Sequence, residues 1–553
     1  MKNFNILSLL AAVVVLAGCK DFLEEENRSN MEADAYYTTA EGYDKIVNAS
    51  YSSLRPVYTD PWVFAAGTDM YVEGRDAQPK GISEYRELNP EDTNIEDFYR
   101  RVYAGIQVCN NALYFNERTA PAATLASRKG EVQFLRAYHY FLLVQQFGGV
   151  PLVTERFSEP VAAFPRNTAE EVYTFIVNQM NEALELVPET SSEFGRVTKR
   201  AVRHYLAKVH LTRGYESFAA PDDFAKAAQF ADAAIDGQLL TQSFEQVFFP
   251  GNERNPEILF SIQYDAGSVA NPQSTGNSQN YWYGPYMGGQ GAAQGYPQRA
   301  YRLVPTMYTF DVFTENDARF DATFMIEYYQ RYYDYYDKST ERNTLNVRFY
   351  YAPKWANSPE AIAAWKAANP DRRNDAQVIP YSAAWEANNS TALDNATPAI
   401  KKFDDPRSVF GGATSTRDIF LARLAETYLI AAEAYFKLGD NGTAATRINE
   451  VRRRAAKPGA EEAMRITAAD VTIAFILDER ARELAGEYHR WFDLKRTGTL
   501  MERTREYNRD IRNWYNRGFD PFQGQDGAYK ILRPIPARAL LLNDAEFPQN
   551  PGY

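Results

Sequence analysis

Glu483, Glu487 and His489 are the residues whose types and spacing come closest to proton-transfer chemistry. Two carboxylates held together can split their pKa values, so that one keeps a proton while the other accepts one, and a histidine beside them can relay it. The same stretch offers another explanation. Glu479, Arg480, Arg482, Glu483 and Glu487 stand at offsets of three and four, so acids and bases can pair along a helix as a solvated or interface salt-bridge ladder. Metal chemistry has less support. The four histidines, at 139, 204, 210 and 489, form no H-E-x-x-H, and Cys19 and Cys109 form no cluster, so neither a metal site nor a cofactor is expected.

A second group of residues suits binding without chemistry. Tyr281-Trp282-Tyr283-Gly284-Pro285-Tyr286 and Tyr296 stand beside Gly288, Gly289, Gly291 and Gly295. These glycines do not make G-x-G-x-x-G and lack a strand-to-helix setting, which argues against a nucleotide loop. Exposed rings on a glycine-rich loop suit stacking on sugar faces, where apolar C–H patches meet the ring; packing of Trp282 against the helices is the alternative. A further irregular segment, between helices expected over 41–58 and 95–116, holds Trp62, Asp69, Arg75 and Tyr85. Loops supported by rigid helices are where binding residues concentrate.

The elements that must position these residues are mostly helical. Thr467 with Asp470 three places on, then Ile473, Leu477, Ala481 and Leu484, predicts one amphipathic helix ending near Gly486 and leading into Arg490-Trp491-Phe492-Asp493. Residues 131–147 predict another, stopped by Gly148-Gly149 and Pro151. Helix pairs follow over 169–187, 198–216 and 222–236, and small residues recur at Ala227, Ala231, Ala234 and again at Ala431, Ala432, Ala434, Ala444 and Ala445. Such pairs cannot bury their apolar faces alone and must stack, as in tetratricopeptide-like scaffolds. Between 239 and 415 helical periodicity fades, which predicts an inserted loop-rich subdomain with a strand at 258–264 and 359–368 as its only evident helix. The tyrosine alternation in 324–336 predicts an edge strand with tyrosines on a solvated face, and the chain after 500 is expected to be irregular.

The N-terminus carries an address. Lys2, the apolar run 6–17 and Leu16-Ala17-Gly18-Cys19 form a signal segment too short to span a bilayer, and Leu-Ala-Gly-Cys resembles a bacterial lipobox whose Cys19 becomes acylated. With Cys19 consumed, Cys109 has no partner for a disulfide and is expected as a small buried hydrophobe.

Several of these segments together resemble the SusD-like (RagB/SusD) family of Bacteroidetes outer-membrane nutrient-binding lipoproteins. They are the E-R-x-x-E-L-x-x-E-x-x-R-W-x-D-L-x-R-T-G run from Glu479, the alanine-rich AETYLIAAEAYFKLGD before it, FLRAYHYFLLVQQFGGVPLV from Phe134, Ile531-Leu532-Arg533-Pro534-Ile535-Pro536, and the terminal Gln549-Asn550-Pro551-Gly552-Tyr553. The resemblance spans essentially the whole mature chain. It implies a mainly α fold of tetratricopeptide-like pairs, divided as signal peptide 1–18, acylated tether and leader 19–40, helical region 41–238, inserted ligand-site subdomain 239–415, and helical region with packed tail 416–553. Lys20 to Glu26 is similar to a surface-export tether, placing the protein on the outer membrane facing the exterior. The resemblance also implies an oligosaccharide ligand, a partner in a TonB-dependent SusC-like transporter, and no enzymatic activity. It makes Trp62, Asp69 and Arg75 ligand-site candidates beside Tyr281, Trp282, Tyr283, Tyr286 and Tyr296; an Asp69–Arg75 structural ion pair is the alternative.

Composition narrows the remaining classes. A net charge of −12 argues against nucleic acid, which wants a basic surface; 38 Tyr, 33 Phe and 7 Trp suit surfaces that hold polar, partly apolar ligands such as sugars, with the packing of helix seams accounting for most of the tyrosines. A glycoside hydrolase would also want aromatic platforms but needs two carboxylates at a fixed separation. A surface scaffold or adhesin that binds only protein is the third reading.

Overall fold

The computed structural model describes residues 33–74, 78–157, 159–267, 269, 276–283, 302–386, 396–408 and 415–553. Helices dominate, and several begin at a side-chain cap. Ala40–Ser52 starts where the Thr39 side chain accepts from Gly42 N–H, and Thr93–Asn116 where Asp92 accepts from Asn94 and Ile95. Leu125–Phe147 stops at Gly148, whose φ of +69° suits glycine, and Ala169–Leu186 opens in a Thr168/Glu171 capping box. Lys199–Arg213, Asp223–Ile235, Leu424–Lys437 and Asn441–Ala455 continue the series, each packing on the one before. No helix among the described residues is long and apolar enough to cross a membrane.

Small side chains set the spacing in the second half of this stack. Ala207, Ala227, Ala231, Ala425, Ala431, Ala432 and Ala444 are fully buried in one cluster, which lets helix backbones approach closely. In the first half, a Cβ on Gly105 would lie 2.4 Å from the His139 ring, so the Thr93–Asn116 helix meets its neighbour through a glycine. Cys109, on the same helix, is buried as expected, and burial pushes its thiol up to about 12.

Asp223–Ile235 packs on Leu424–Lys437 although 239–415 lie between them in sequence. Strands tie the intervening segment in at its edges. Ile258–Ile262 pairs antiparallel with Ile419–Arg423, immediately before the Leu424 helix, and Tyr71–Glu73 pairs antiparallel with Leu303–Pro305. A third sheet runs in the order Glu327–Tyr329, Val347–Ala352, Gln377–Pro380, antiparallel then parallel. It has its own core of Tyr329, Val347, Tyr350, Ala352 and Ala376, with Trp365 stacked on Tyr350 at 3.9 Å. The chain enters and leaves this unit at one point: Phe324 bridges Ile400, Met325 N–H donates to Ala399 O at 2.9 Å, and Lys401 N–H donates to Thr323 O at 2.9 Å.

Four expectations need correction. Pro359–Ala368 is helical, but so are Phe244–Val247, Met307–Asp311, Ala318–Thr323, Asp334–Asp337 and Pro370–Arg373, all too short to complete a readable period. Glu327–Tyr329 is an edge strand, yet only three residues long, and its tyrosines are not solvated: Tyr328 packs on Tyr332, Phe349 and Tyr351, and Tyr329 enters the small core on the other face. The Thr467/Asp470 box caps a separate 3-10 turn, Ala468–Asp470, while Thr472 caps the main helix, Ile473–Leu484. After 500 the chain forms Leu500–Tyr507 and Arg509–Asn516, short charge-rich helices, and Ala537–Leu541, a five-residue helix too short to show a period.

The acid–arginine ladder is neither solvated nor confined to one helix. Glu479 meets Arg319 at 2.8 Å, Arg452 at 2.8 Å and Arg482 at 2.7 Å; Glu483 meets Arg319 at 3.0 Å, Arg423 at 3.1 Å and also Arg454. Arg423 reaches Glu487 at 2.6 Å and Glu257 at 2.5 Å. Because Arg319 and Glu257 come from the intervening segment, this buried network fixes how that segment sits on the helices. Desolvation of so many charges offsets much of what their pairing contributes.

Candidate functional site

Trp62 lies on the one-turn helix Trp62–Ala65, and Trp282 ends the one-turn helix Gln279–Trp282. A small hydrogen-bonded hub brings these two segments together. The Thr59 carbonyl accepts from the Ser278 hydroxyl at 2.6 Å and from Trp282 Nε1 at 3.2 Å, and Nε1 also donates to Ser278 Oγ at 3.1 Å. With its N–H committed inward, the half-buried Trp282 ring is oriented rather than free to rotate. Trp62 is buried and meets it edge-on, ring centroids 5.0 Å apart, while half-buried Tyr281 stands at 72° to Trp282, 5.3 Å away.

Arg302 completes the cluster. Its guanidinium carbon lies 5.6 Å from the Trp282 ring and 5.9 Å from that of Trp62, within cation–π range of both. The backbone sets that position: Arg302 O accepts from Gly74 N–H at 3.1 Å and from Gln78 Nε2 at 2.6 Å, just before strand Leu303–Pro305. Aromatic surface, a neutral polar hub and one cation make a surface suited to a polar ring-shaped ligand. Nothing in the sequence marks Arg302, Thr59 or Ser278 out from their many equivalents; only the strand pairing with Tyr71–Glu73 brings Arg302 to Trp62.

Two other expected site residues stand behind this surface. Asp69 is fully buried, its carboxylate accepting from Arg490 Nε and Nη2 at 2.7 and 2.6 Å and from Arg503 Nε at 2.8 Å. Burial alone would raise its pKa, but the two arginines outweigh that and hold it below the usual carboxylate value. Asp69 is thus an ion-pair partner of the C-terminal helices. Tyr283 is also fully buried, its ring against Tyr71 and Phe403 and its hydroxyl donating to Gly486 O at 3.4 Å, with burial pushing the phenol well up. Arg75, Tyr286, Tyr296 and Cys19 lie outside the described residues.

The acid–base trio is not arranged for proton transfer. Burial opposes ionisation of Glu483, yet Arg454, Arg423 and Arg319 draw its pKa down to about 2, and Arg423 and Lys402 likewise lower Glu487. Burial holds His489 neutral, with a pKa down at about 3, and its Nδ1 accepts from Lys208 Nζ at 3.0 Å. All three are buried. Among the described residues no group of three or more His, Cys, Asp or Glu is placed to hold a metal ion. A separate cleft of about 370 Å³ lies beside the Ala40–Ser52 helix, lined by Tyr51, Arg55, Phe194, Arg196, Gln263 and Asp265. Its arginines are engaged, Arg55 on Gln263 O at 2.7 Å and Arg196 on Glu131 at 3.2 Å, and it lacks an indole, so the tryptophan pair is the better candidate.

Comparison with known proteins bears on the family and the fold. Residues 256–553 match the model of the SusD family, and residues 21–211 match a model described as starch-binding associating with outer membrane. SusD-like protein P2 of Formosa agariphila is 25% identical over 580 aligned positions spanning all of both chains. Starch-binding protein SusD of Bacteroides thetaiotaomicron is 27% identical over 487, covering 84% of this chain and 80% of that one. Among solved structures, surface glycan-binding protein A from Bacteroides thetaiotaomicron in complex with laminarihexaose superposes with a TM-score of 0.66 at 20% identity, over 93% of this chain and 100% of that one.

Proposed function

Because the chain belongs to the SusD family, we propose that it is a glycan-binding protein of the cell surface that holds an oligosaccharide without cleaving it. On this reading Cys19 anchors it by acyl chains to the outer membrane, facing outward, and a TonB-dependent SusC-like transporter receives the glycan. The observation that carries the proposal is the oriented Trp282 ring, flanked by Tyr281, backed by Trp62 and neighboured by Arg302. Related proteins named for binding starch, laminarin or laminarihexaose support a saccharide as ligand. The sealing of Glu483 and Glu487 in arginine pairs supports retention over hydrolysis, which would require a carboxylate pair open to substrate.

A glycan panel scored for both retention and product formation tests this. Retention without product supports the binding protein and names its saccharide; product formation overturns it in favour of a hydrolase; neither, with capture of a protein, points to a scaffold. Co-purification of the membrane-extracted protein with a β-barrel transporter tests the partner.

A further inference from the structure

Four exposed apolar side chains gather on two joined segments. Leu541 is 83% exposed and Leu542 66%, at the end of the Ala537–Leu541 helix, with Val161 at 44% and Phe157 at 40%. Single exposed leucines, such as Leu239 and Leu438, are ordinary in a folded protein. These four differ because hydrogen bonds join the segments that carry them. Asp544 N–H donates to Ala162 O at 2.7 Å, Phe164 N–H donates to Asn543 Oδ1 at 2.9 Å, and Asn543 Nδ2 donates back to Phe164 O at 2.8 Å. The Phe157 ring packs on Phe164, centroids 5.7 Å apart, and Ala162 and Ala163 are exposed as well.

The patch lies where the chain comes in from its N-terminus. The Tyr37 ring meets Phe115 at 5.2 Å, Thr119 Oγ1 donates to Tyr37 O at 3.2 Å, and Ala120 N–H donates to Thr38 O at 3.1 Å, which fixes the Ala33–Tyr37 helix to the end of Thr93–Asn116. Arg156, the residue before Phe157, has its guanidinium carbon 5.1 Å from that same Phe115 ring. Tyr37, Phe115 and Arg156 thus link the entering chain to the patch. Ala33 follows Cys19 by fourteen positions, which covalent geometry cannot stretch beyond roughly 50 Å. An acyl tether alone leaves a protein free to turn. Apolar side chains beside it, kept at high effective concentration by it, can settle into the headgroup region.

We propose that this patch rests on the outer leaflet of the membrane, with Leu541, Leu542, Val161 and Phe157 in contact with lipid, and so sets which way the anchored protein faces. This inference rests on the reading of Cys19 as acylated. Leucines that protrude this far from a five-residue helix suit a fluid surface that closes around them, which needs no complementary pocket. The Ala40–Ser52 helix then carries the chain about 20 Å from Thr39 toward Thr59, the residue that orients Trp282, so the patch and the glycan site occupy different parts of the fold.

Quenching by lipid tests it. The full acylated chain, extracted from membranes and reconstituted into phosphatidylcholine vesicles, carries one fluorophore on Leu541→Cys or, as control, on Leu438→Cys; Cys109 is buried and an acylated Cys19 takes no label. Phosphatidylcholine has no net charge, so the measurement reads apolar contact. Doxyl-labelled phosphatidylcholine is expected to quench the Leu541 label at least about threefold more than the Leu438 label. A label on Val161→Cys should behave like that on Leu541, and adding Leu541→Asp with Leu542→Asp should cut its quenching by about half or more with melting temperature unchanged. Equal quenching at Leu541 and Leu438, or Val161 quenching that survives the paired substitution, overturns the inference and leaves the anchor standing. A Leu541 label shielded from aqueous iodide but untouched by doxyl lipid also overturns it, since the leader, a second copy or a transporter then covers the face. Protein that does not stay with the vesicles sinks the acylation reading and the inference with it.

Discussion

The indoles of Trp62 and Trp282 meet at 67° with centroids 5.0 Å apart, and Trp62 is buried, 5% exposed, whereas Trp282 is half-buried. Truncating them should therefore have different effects. Trp282→Ala is expected to weaken glycan binding by roughly thirtyfold or more, as loss of a central aromatic anchor does, with thermal unfolding little changed. Trp62→Ala should cost about 3–5 kcal/mol of stability as well as binding. A large fall in melting temperature for Trp282→Ala would recast that ring as a packing residue.

Glu483→Gln tests the buried network. It keeps the shape but leaves Arg319, Arg423 and Arg454 short of a shared counter-charge. Breaking a buried pair by removing one partner costs about 3–5 kcal/mol. The urea midpoint should fall accordingly, and no change would mean that solvent reaches these arginines.

Acid should unfold the protein through the same groups. Glu479 and Glu483 have folded-state pKa values below their unfolded ones, so the folded state binds fewer protons and their contribution is fully present above about pH 4.5. It is lost as pH falls toward 2, and melting temperature should drop steeply over that window.

Asp418 acts with the opposite sign. Burial raises it to about 6, against the hydrogen bonds it accepts from Tyr264 N–H and Ser261 Oγ, so the folded state holds a proton the unfolded chain has released. Its contribution to stability therefore declines as pH rises from about 4 to about 6. Asp418→Asn should flatten the stability profile in that window, and an unchanged slope would rule Asp418 out as its source.

Gly105→Ala reverses an ordinary expectation. In an exposed helix the change stabilises by about 1 kcal/mol, but here the new methyl would meet His139 at 2.4 Å. Overpacking of that kind costs roughly 1–3 kcal/mol, so the variant should melt lower than wild type.

For the N-terminus, Cys19→Ser should move the protein from the membrane to the soluble fraction. Continued sedimentation with membranes would mean that something other than acylation holds it there.

What was legible in the sequence follows from the length of the signal. Helices such as Ala169–Leu186 run long enough for apolar spacing to repeat, and alanines such as Ala227 and Ala431, recurring at helical spacing, point to close packing. The ladder Glu479–Glu483–Glu487 was visible as a pattern, yet its burial was not, since Arg319 and Arg423 arrive from distant segments. The same limit governs the candidate site. Trp282 stands out by type, whereas Arg302 acquires meaning only from a three-residue strand pairing, and Asp69 finds Arg490 421 positions away.

The small three-stranded unit that leaves at Phe324 and returns at Ile400 has a consequence for divergence among related chains. A loop closed at its base by a fixed bridge adds only about 0.6 kcal/mol of closure entropy for each doubling of its length. Residues could be gained or lost in its exposed turns with little penalty to the helices beneath, whereas Tyr328, Tyr351 and Trp385 are held in the main core. The shape above the helices can therefore drift over generations faster than the framework that carries it.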